Sequence, residues 1–482
     1  MKRKQEFNTK DKSYKRQKLS DDFIVKCKDG FNDSDINILA KNAVTNVGSL
    51  NASTDHLEST KVSHVFLNSI KKKKLKATNQ GYSGRCWIFS GLNVFRHNII
   101  NGLELDNFEF SETYLFFWDK FERSNCFLQW IREYMDKKEY PDLSENKMFE
   151  YLVNPEKYMS DGGYWTFFAN LIEKYGLIPK TAMPETFQSE YTEDMNKILM
   201  DILHSTANKM RKTKEDRYDS IIEESLKQVY NTLVKFLGEP PSVFDWSSVN
   251  ENGETNIIPN LDPKLFMETF VPIDISEFVV LSNVPNQKFP YYKKYEIEYS
   301  TNIIGGNNCE AINLPISELK KYAMKSVLSG IPVWFGADVS KGFHPYFSSL
   351  NDKLINNKLL FGPLFKMSKE ERMLFQNQQT NHAMTLTGVN IDDKNLPYSW
   401  EVENSWGYID NEELGLDGFL CMDNEWFEQY IGHIVIHKKF LSRNICKIVE
   451  SDSIKISPFE QNPPLSQIKY KNYSRYISKM KV

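Results

Sequence analysis

Asn79-Gln80-Gly81-Tyr82-Ser83-Gly84-Arg85-Cys86-Trp87-Ile88-Phe89-Ser90 places a thiol at the start of an apolar-periodic run, with glycine-loosened backbone before it. Ile88, Leu92, Phe95 and Ile99 recur at helical spacing, so the sequence predicts a helix that begins near Cys86 and buries one face. A helix N-terminus carries about half an elementary positive charge, which favours a thiolate there. Gln80, six residues upstream, offers a side-chain amide to a developing oxyanion. A free cysteine alone is more often an inert core residue than a nucleophile. The stretch gains chemical meaning only if the chain also supplies a base, an orienting group and a substrate cleft.

His382 stands at the start of a predicted strand in which His382/Met384/Leu386 alternate with Ala383/Thr385/Thr387. A second alternation, Trp400/Val402/Asn404/Trp406, ends in Asn404-Ser405-Trp406-Gly407 and puts an amide beside a large indole. Separately these residues have ordinary readings, a core histidine and a turn asparagine. Their joint occurrence, in the order Cys86, His382, Asn404, supplies the residue types that nucleophilic acyl transfer needs: a thiol, an imidazole and a group to hold it. Asp161-Gly162-Gly163-Tyr164-Trp165 predicts a tight turn before a helix ending at Tyr175-Gly176. The paired glycines Gly162 and Gly163 let backbone come close to an extended substrate.

The chain of 482 residues is long enough for about three domain-sized units. Its pattern predicts an α+β fold, a helical half and a strand-rich half with a cleft between them. We divide it into a flexible basic arm (1–20), an N-terminal extension of short mixed elements (21–78) and a helical half carrying the nucleophile (79–189). A helical insertion and connecting segment (190–290), a strand-rich half carrying His and Asn (291–450) and a C-terminal arm with an extra basic tail (451–482) follow. The insertion reads as a helical pair: Met195, Ile198, Leu199, Ile202 and Leu203 share one face, as do Ile222, Leu226, Val229, Leu233 and Phe236. Asn250-Glu251-Asn252-Gly253 predicts a hairpin turn.

A hydrophobic content of 40% and an aromatic content of 13% describe a globular chain. A net charge of −4 argues against a surface that coats nucleic acid uniformly, although residues 1–20, Lys71 to Lys74 and the end of the chain are locally basic. The basic N-terminus is not followed by an apolar signal core, and no window reaches about 18 apolar residues, so no membrane span is expected. Six cysteines are scattered singly, without a CxxC pair, which predicts neither a zinc site nor a disulfide framework. No metal or cofactor is expected, and the compartment is expected to be reducing: cytoplasmic, with the basic arm leaving the nucleus as an alternative.

Taken together, these motifs resemble the papain-like cysteine peptidases, and more closely their intracellular branch, the bleomycin hydrolases. The resemblance runs from about residue 77 to 440 and is carried by Thr78-Asn79-Gln80 through Trp87, Tyr114 to Lys120, Asp161-Gly162-Gly163, Leu237 to Pro241, Val333 to Gly336 and Val402 to Gly407. In the papain group the His and Asn follow the cysteine by about 130–150 residues. His382 lies far beyond that, a difference expected to come from the inserted helices and the material before the first strands. Secreted members carry a disulfide at the positions that match Ser83 and Ser160 here, and two serines agree with a reducing compartment.

The resemblance implies a papain-like fold with helical insertions and a cysteine aminopeptidase of broad specificity acting on peptides and amino amides. It implies Cys86 as nucleophile, in an ion pair with His382, with Asn404 orienting the imidazole. Gln80 and the Cys86 N–H would form the oxyanion site, and Gly162 and Gly163 would pair with substrate backbone. It further implies a homohexamer, with nucleic-acid binding through basic surface in some members. The competing reading is a nucleic-acid-binding or assembly protein with secondary peptidase activity. Ile454 to Glu460 resembles the family's C-terminal arm, but the chain runs on from Gln467 to Val482, with Tyr470, Tyr473, Arg475 and Tyr476. Such an extension is expected to be trimmed, to restrain activity from within the cleft, or to open the cleft to endopeptidase substrates.

Overall fold

The computed structural model describes residues 17–70, 75–136, 147–154, 158–271, 274–362, 367–407 and 418–459. Most of the basic arm, the lysine run from Lys71 to Lys74 and the extended tail lie outside the described residues.

The chain forms two compact units. The smaller comprises described residues 17–56 and 355–362. Where short mixed elements were expected, it holds two sizeable helices, α1 (Asp21–Asn32) and α2 (Asp35–Ser53). Ser20 and Ser34 start them, each hydroxyl accepting from an orphan N–H of the first turn at 3.2 Å. No residue of α1 is buried, and Phe23, Val25, Ile36 and Leu39 are exposed.

The larger unit begins with helices α3 (Cys86–Gly102), α4 (Glu112–Asp136) and α5 (Trp165–Tyr175). The helical insertion is α6 (Glu193–Arg211) and α7 (Tyr218–Leu237). Phe117 and Phe121 of α4 meet Tyr230 of α7 edge-on at 5.3 and 5.6 Å. Met195, Leu199, Ile202 and Leu203 are buried as their spacing predicts, whereas Ile198 falls at the edge of the stripe and is exposed. Strands β1 (Phe244–Val249) and β2 (Thr255–Leu261) close through the Asn250–Gly253 turn.

One sheet organises the rest. Its strands β3 (Phe278–Ser282), β4 (Lys293–Ile297), β5 (Glu310–Asn313), β6 (Val333–Ala337), β7 (His382–Ile391), β8 (Pro397–Glu403), β9 (Phe419–Asp423), β10 (Ile431–His437) and β11 (Ile454–Ile456) run in the order β11-β4-β5-β3-β10-β6-β7-β8-β9. Two short strands, Ser349–Leu350 and Phe343–His344, extend that edge, and Asn68–Ser69 pairs with β7. The sheet starts inside what the sequence suggested was a connecting segment. Phe278 to Leu281 is an apolar run without alternation, because β3 packs on both sides.

The two faces of β7 serve different cores. Ala383 joins the core around α3, whereas Met384 and Leu386 join a second core with Leu319 and Tyr322 of α8 (Ile316–Leu328). Thr385 Oγ1 donates to the Ser90 carbonyl at 3.0 Å, fastening α3 to the sheet. The helix with the thiol therefore lies on the face of the strand that begins with His382.

Candidate active site

Cys86 is the first residue of α3, only 1% exposed, and its sulfur accepts a hydrogen bond from Ala383 N–H at 3.5 Å. As neighbour of Ala383, His382 is thereby brought to the thiol. Its Nε2 lies 2.7 Å from Asn404 Oδ1. An amide oxygen can only accept, so Nε2 carries the proton, and Nδ1 keeps the lone pair that can take one from a thiol. Ser405 N–H also donates to Asn404 Oδ1, at 2.8 Å, which fixes the amide's direction. Trp406 stacks on the imidazole with centroids 4.7 Å apart and planes 25° from parallel.

Gln80 is buried beside them. Its Nε2 donates to Ser83 O and its Oε1 accepts from Ser405 Oγ, both at 2.6 Å. One hydrogen of the amide group is thus used and the other is available. Backbone bonds Gln80 N to Ser405 O and Gly407 N to Thr78 O, each 2.9 Å, zip the nucleophile's loop to the asparagine's loop. Gly163 is a close-approach glycine: a Cβ there would come within 2.5 Å of the Trp87 indole. Gly162 is placed differently, since its carbonyl accepts from Arg123 at 2.6 Å.

Burial dominates the electrostatics of the pair. It pushes the Cys86 thiol up to about 12, against hydrogen bonds from the N–H groups of Ala383, Trp87 and Cys86 itself. It pushes His382 down to about 4, against the hydrogen bond to Asn404. Neither group charges by itself near neutrality. A proton passed from one to the other would create both charges at once, each the counter-ion the other lacks.

The chain matches the Peptidase C1-like family over residues 18–462. The chain belongs to that family. It is 35% identical over 387 residues to aminopeptidase C of Listeria monocytogenes, covering 80% of this chain and 85% of that protein. It is 33% identical over 434 residues to bleomycin hydrolase of Homo sapiens, covering 86% and 92%. The crystal structure of PepW from Lactobacillus rhamnosis superposes with a TM-score of 0.85 at 29% identity, over 92% of this chain and 98% of that one.

In this member of the Peptidase C1-like family the site is braced by buried charges to which the sequence reading gave no role. Asp161, just before the paired glycines, accepts from Gly84 N–H at 3.1 Å and from Asn196 at 2.6 Å, bonds Thr192, and pairs with Lys120 at 3.0 Å. Burial opposes its charge, but Lys120 and these donors outweigh it and hold the carboxyl at about 2. Lys120 itself is lowered, because its burial outweighs the help it receives from Asp161. Lys120 and Arg123 also cap the carbonyls of Tyr158, Met159, Ser160 and Gly162. The glycine turn is thus tied to α4 on one side and to the nucleophile loop on the other. Arg85, fully buried, holds Glu185 with two bonds of 3.1 and 2.7 Å. Arg96 and His97 of α3 both bond Glu403, the residue before Asn404, at 2.5 and 2.8 Å. One signal was legible: Asp119, Lys120 and Arg123 are charges at helical spacing inside an aromatic run, where only partnered charges are stable.

Replacing Lys120 with Met leaves Asp161 charged and unpaired in the interior, so Lys120→Met should lose about 3–5 kcal/mol of stability. Lys209→Met, which removes an exposed ion pair with Glu224, should leave the melting temperature unchanged. Thermal denaturation of the two variants checks this, and equal melting temperatures would refute the bracing role. A carboxylate held at about 2 contributes stability that is present above about pH 4 and lost as pH falls through 2, so the difference between parent and Lys120→Met should shrink in acid.

Proposed function

We propose that this cysteine-type aminopeptidase cleaves N-terminal peptide and amide bonds with broad specificity through an acyl-enzyme on Cys86. The observation that carries the reading is the convergence of Cys86 with His382 and Asn404 of the distant strand-rich half, linked by the 3.5 Å contact at Ala383 and the 2.7 Å bond to Asn404. In the first step Cys86 passes its proton to His382 Nδ1 and attacks the carbonyl carbon. The oxyanion takes a hydrogen bond from the free N–H of Gln80 and another from Cys86 N–H, which at the first helical position has no intrahelical acceptor. His382 then protonates the leaving amine, with Asn404 holding the ring in place. Water, activated by the same imidazole, releases the acyl group. Trp406 covers the His382–Asn404 bond and keeps water from competing for it. Gly163 offers substrate a close backbone approach, and Gly162, its carbonyl engaged by Arg123, supports the turn.

The remaining parts of the reading rest on the resemblance and on particular residues. All six cysteines are free, which fits a thiol enzyme of the reducing cytoplasm. The apolar side chains of α1, none of them buried, fit an extension that docks on other copies in a homohexamer. Nucleic-acid binding rests on basic segments outside the described residues, and salt-sensitive binding that survives Cys86→Ala would favour it.

Steady-state hydrolysis of unblocked aminoacyl amides tests the activity. The parent should turn them over, Cys86→Ala should be inactive, and Gln80→Ala should lose about 10²–10³ in kcat. Turnover by Cys86→Ala would overturn the reading. Assembly is checked by light scattering: the parent should run as a hexamer, and Phe23→Ser with Val25→Ser should shift it to smaller species. A monomeric parent would contradict the assembly proposal.

A further inference from the structure

His433 is a buried titratable group in the wall of this site to which the mechanism gives no role. It lies on β10 directly across from Gly336 of β6, and Gly336 lies directly across from Ala383, whose N–H meets the Cys86 sulfur. Residues in one row across a sheet share a face, and neighbouring strands are about 4.8 Å apart. The row His433–Gly336–Ala383 therefore forms a track two strand spacings long that ends at the nucleophile. A Cβ on Gly336 would come within 2.6 Å of His433 Nε2, so the ring leans over Gly336 toward Ala383. Trp334 supports the ring from beside it, stacked with centroids 5.3 Å apart, and donates its indole N–H to the Trp87 carbonyl at 3.2 Å. His433 thus belongs to the same packed unit as the nucleophile's helix.

The imidazole is 2% exposed and has no hydrogen-bond partner among the described residues. A core histidine is normally satisfied, because an unpaired polar group in the interior is costly. Burial alone lowers His433 to about 4, so one ring nitrogen is a free acceptor at working pH. The buried carboxylates joined to the site are all engaged. Asp161 holds Lys120 and Gly84, Asp338 holds Ser340, Gln379 and Asn381, and Glu403 holds Arg96 and His97. Among the described residues, His433 is left as an open acceptor for an arriving cation.

In the acyl-enzyme and the transition state before it, sulfur, carbonyl carbon, Cα and α-nitrogen are linked by three bonds. The α-nitrogen therefore stays within about 4 Å of the sulfur. We propose that His433 accepts a hydrogen bond from the substrate's α-ammonium group and so makes the site prefer peptides with a free N-terminus. The assignment rests on the aminopeptidase reading and deepens it. A neutral ring nitrogen facing an ammonium makes a charge-assisted bond, whereas an acylated nitrogen carries no charge and offers at most one hydrogen.

The test is equilibrium binding of leucinamide and N-acetyl-leucinamide to full-length Cys86→Ala protein, alone and with His433→Leu or His433→Gln added. Leucinamide should bind at least about tenfold tighter than its acetylated form, the difference expected of one hydrogen bond to a charged group. His433→Leu should erase that preference by weakening leucinamide only, and His433→Gln, which keeps an acceptor, should retain part of it. An unchanged preference in His433→Leu, an equal weakening of both ligands, or no preference in the parent would each overturn the assignment. Turnover by the active chain is read separately. Hydrolysis of blocked and unblocked amides at equal rates contradicts the aminopeptidase reading, whatever the binding preference.

Discussion

Cys86 meets the backbone N–H of the residue after His382, and burial keeps both side chains from charging singly, a constraint around which the rest of the site is arranged. Removal from water holds Cys86 as a thiol and His382 as a neutral ring, at about 12 and about 4 when each is considered alone. The charges become affordable only when they form together, at a helix N-terminus and against an amide oxygen that accepts from the ring. Such a pair tolerates little displacement, because an error of about 1 Å in a reacting geometry costs on the order of a hundredfold in rate. The charges that brace it are the structural answer to this demand.

Those braces share one design. Asp161 links Gly84 to the glycine turn and Glu403 links α3 to the strand that ends just before Asn404, while Arg85 ties the loop before Cys86 to Glu185. Buried ion pairs contribute little net stability relative to apolar packing, but removing one partner is expensive. They therefore penalise any shift of one segment against the next. With all six cysteines free, hydrogen bonds and charge do the cross-linking.

The sequence made the chemical groups legible because the chemistry demands particular residue types. Cys86 at a helix start, His382 at a strand start and Asn404 before Ser405-Trp406-Gly407 are such cases, and the structure brings them together. The helices from Cys86 and of the insertion were legible from 3.6-residue periodicity. Phe278–Ser282 was not, because a strand buried on both faces shows an apolar run without alternation. The helices at Asp21 and Asp35 were not read from the sequence, although Ser20 and Ser34 marked their starts; the second is interrupted by the non-helical Gly48. His433 and the Lys120–Asp161 pair were illegible for a further reason. Their meaning lies in what they face across the fold, and spacing along a chain does not encode that.

The coupled thiol and imidazole are the core of the account, and the pH dependence of Cys86 alkylation tests them most directly. With iodoacetamide and the full-length chain, the parent should react at a rate that is level across about pH 6–8, because passing the proton from Cys86 to His382 takes none up from solvent and releases none. In His382→Gln the thiol loses its acceptor. The rate should then fall by at least about a hundredfold at pH 7 and rise about tenfold per pH unit through pH 9, without a plateau. Superimposable profiles for the two proteins would contradict the account.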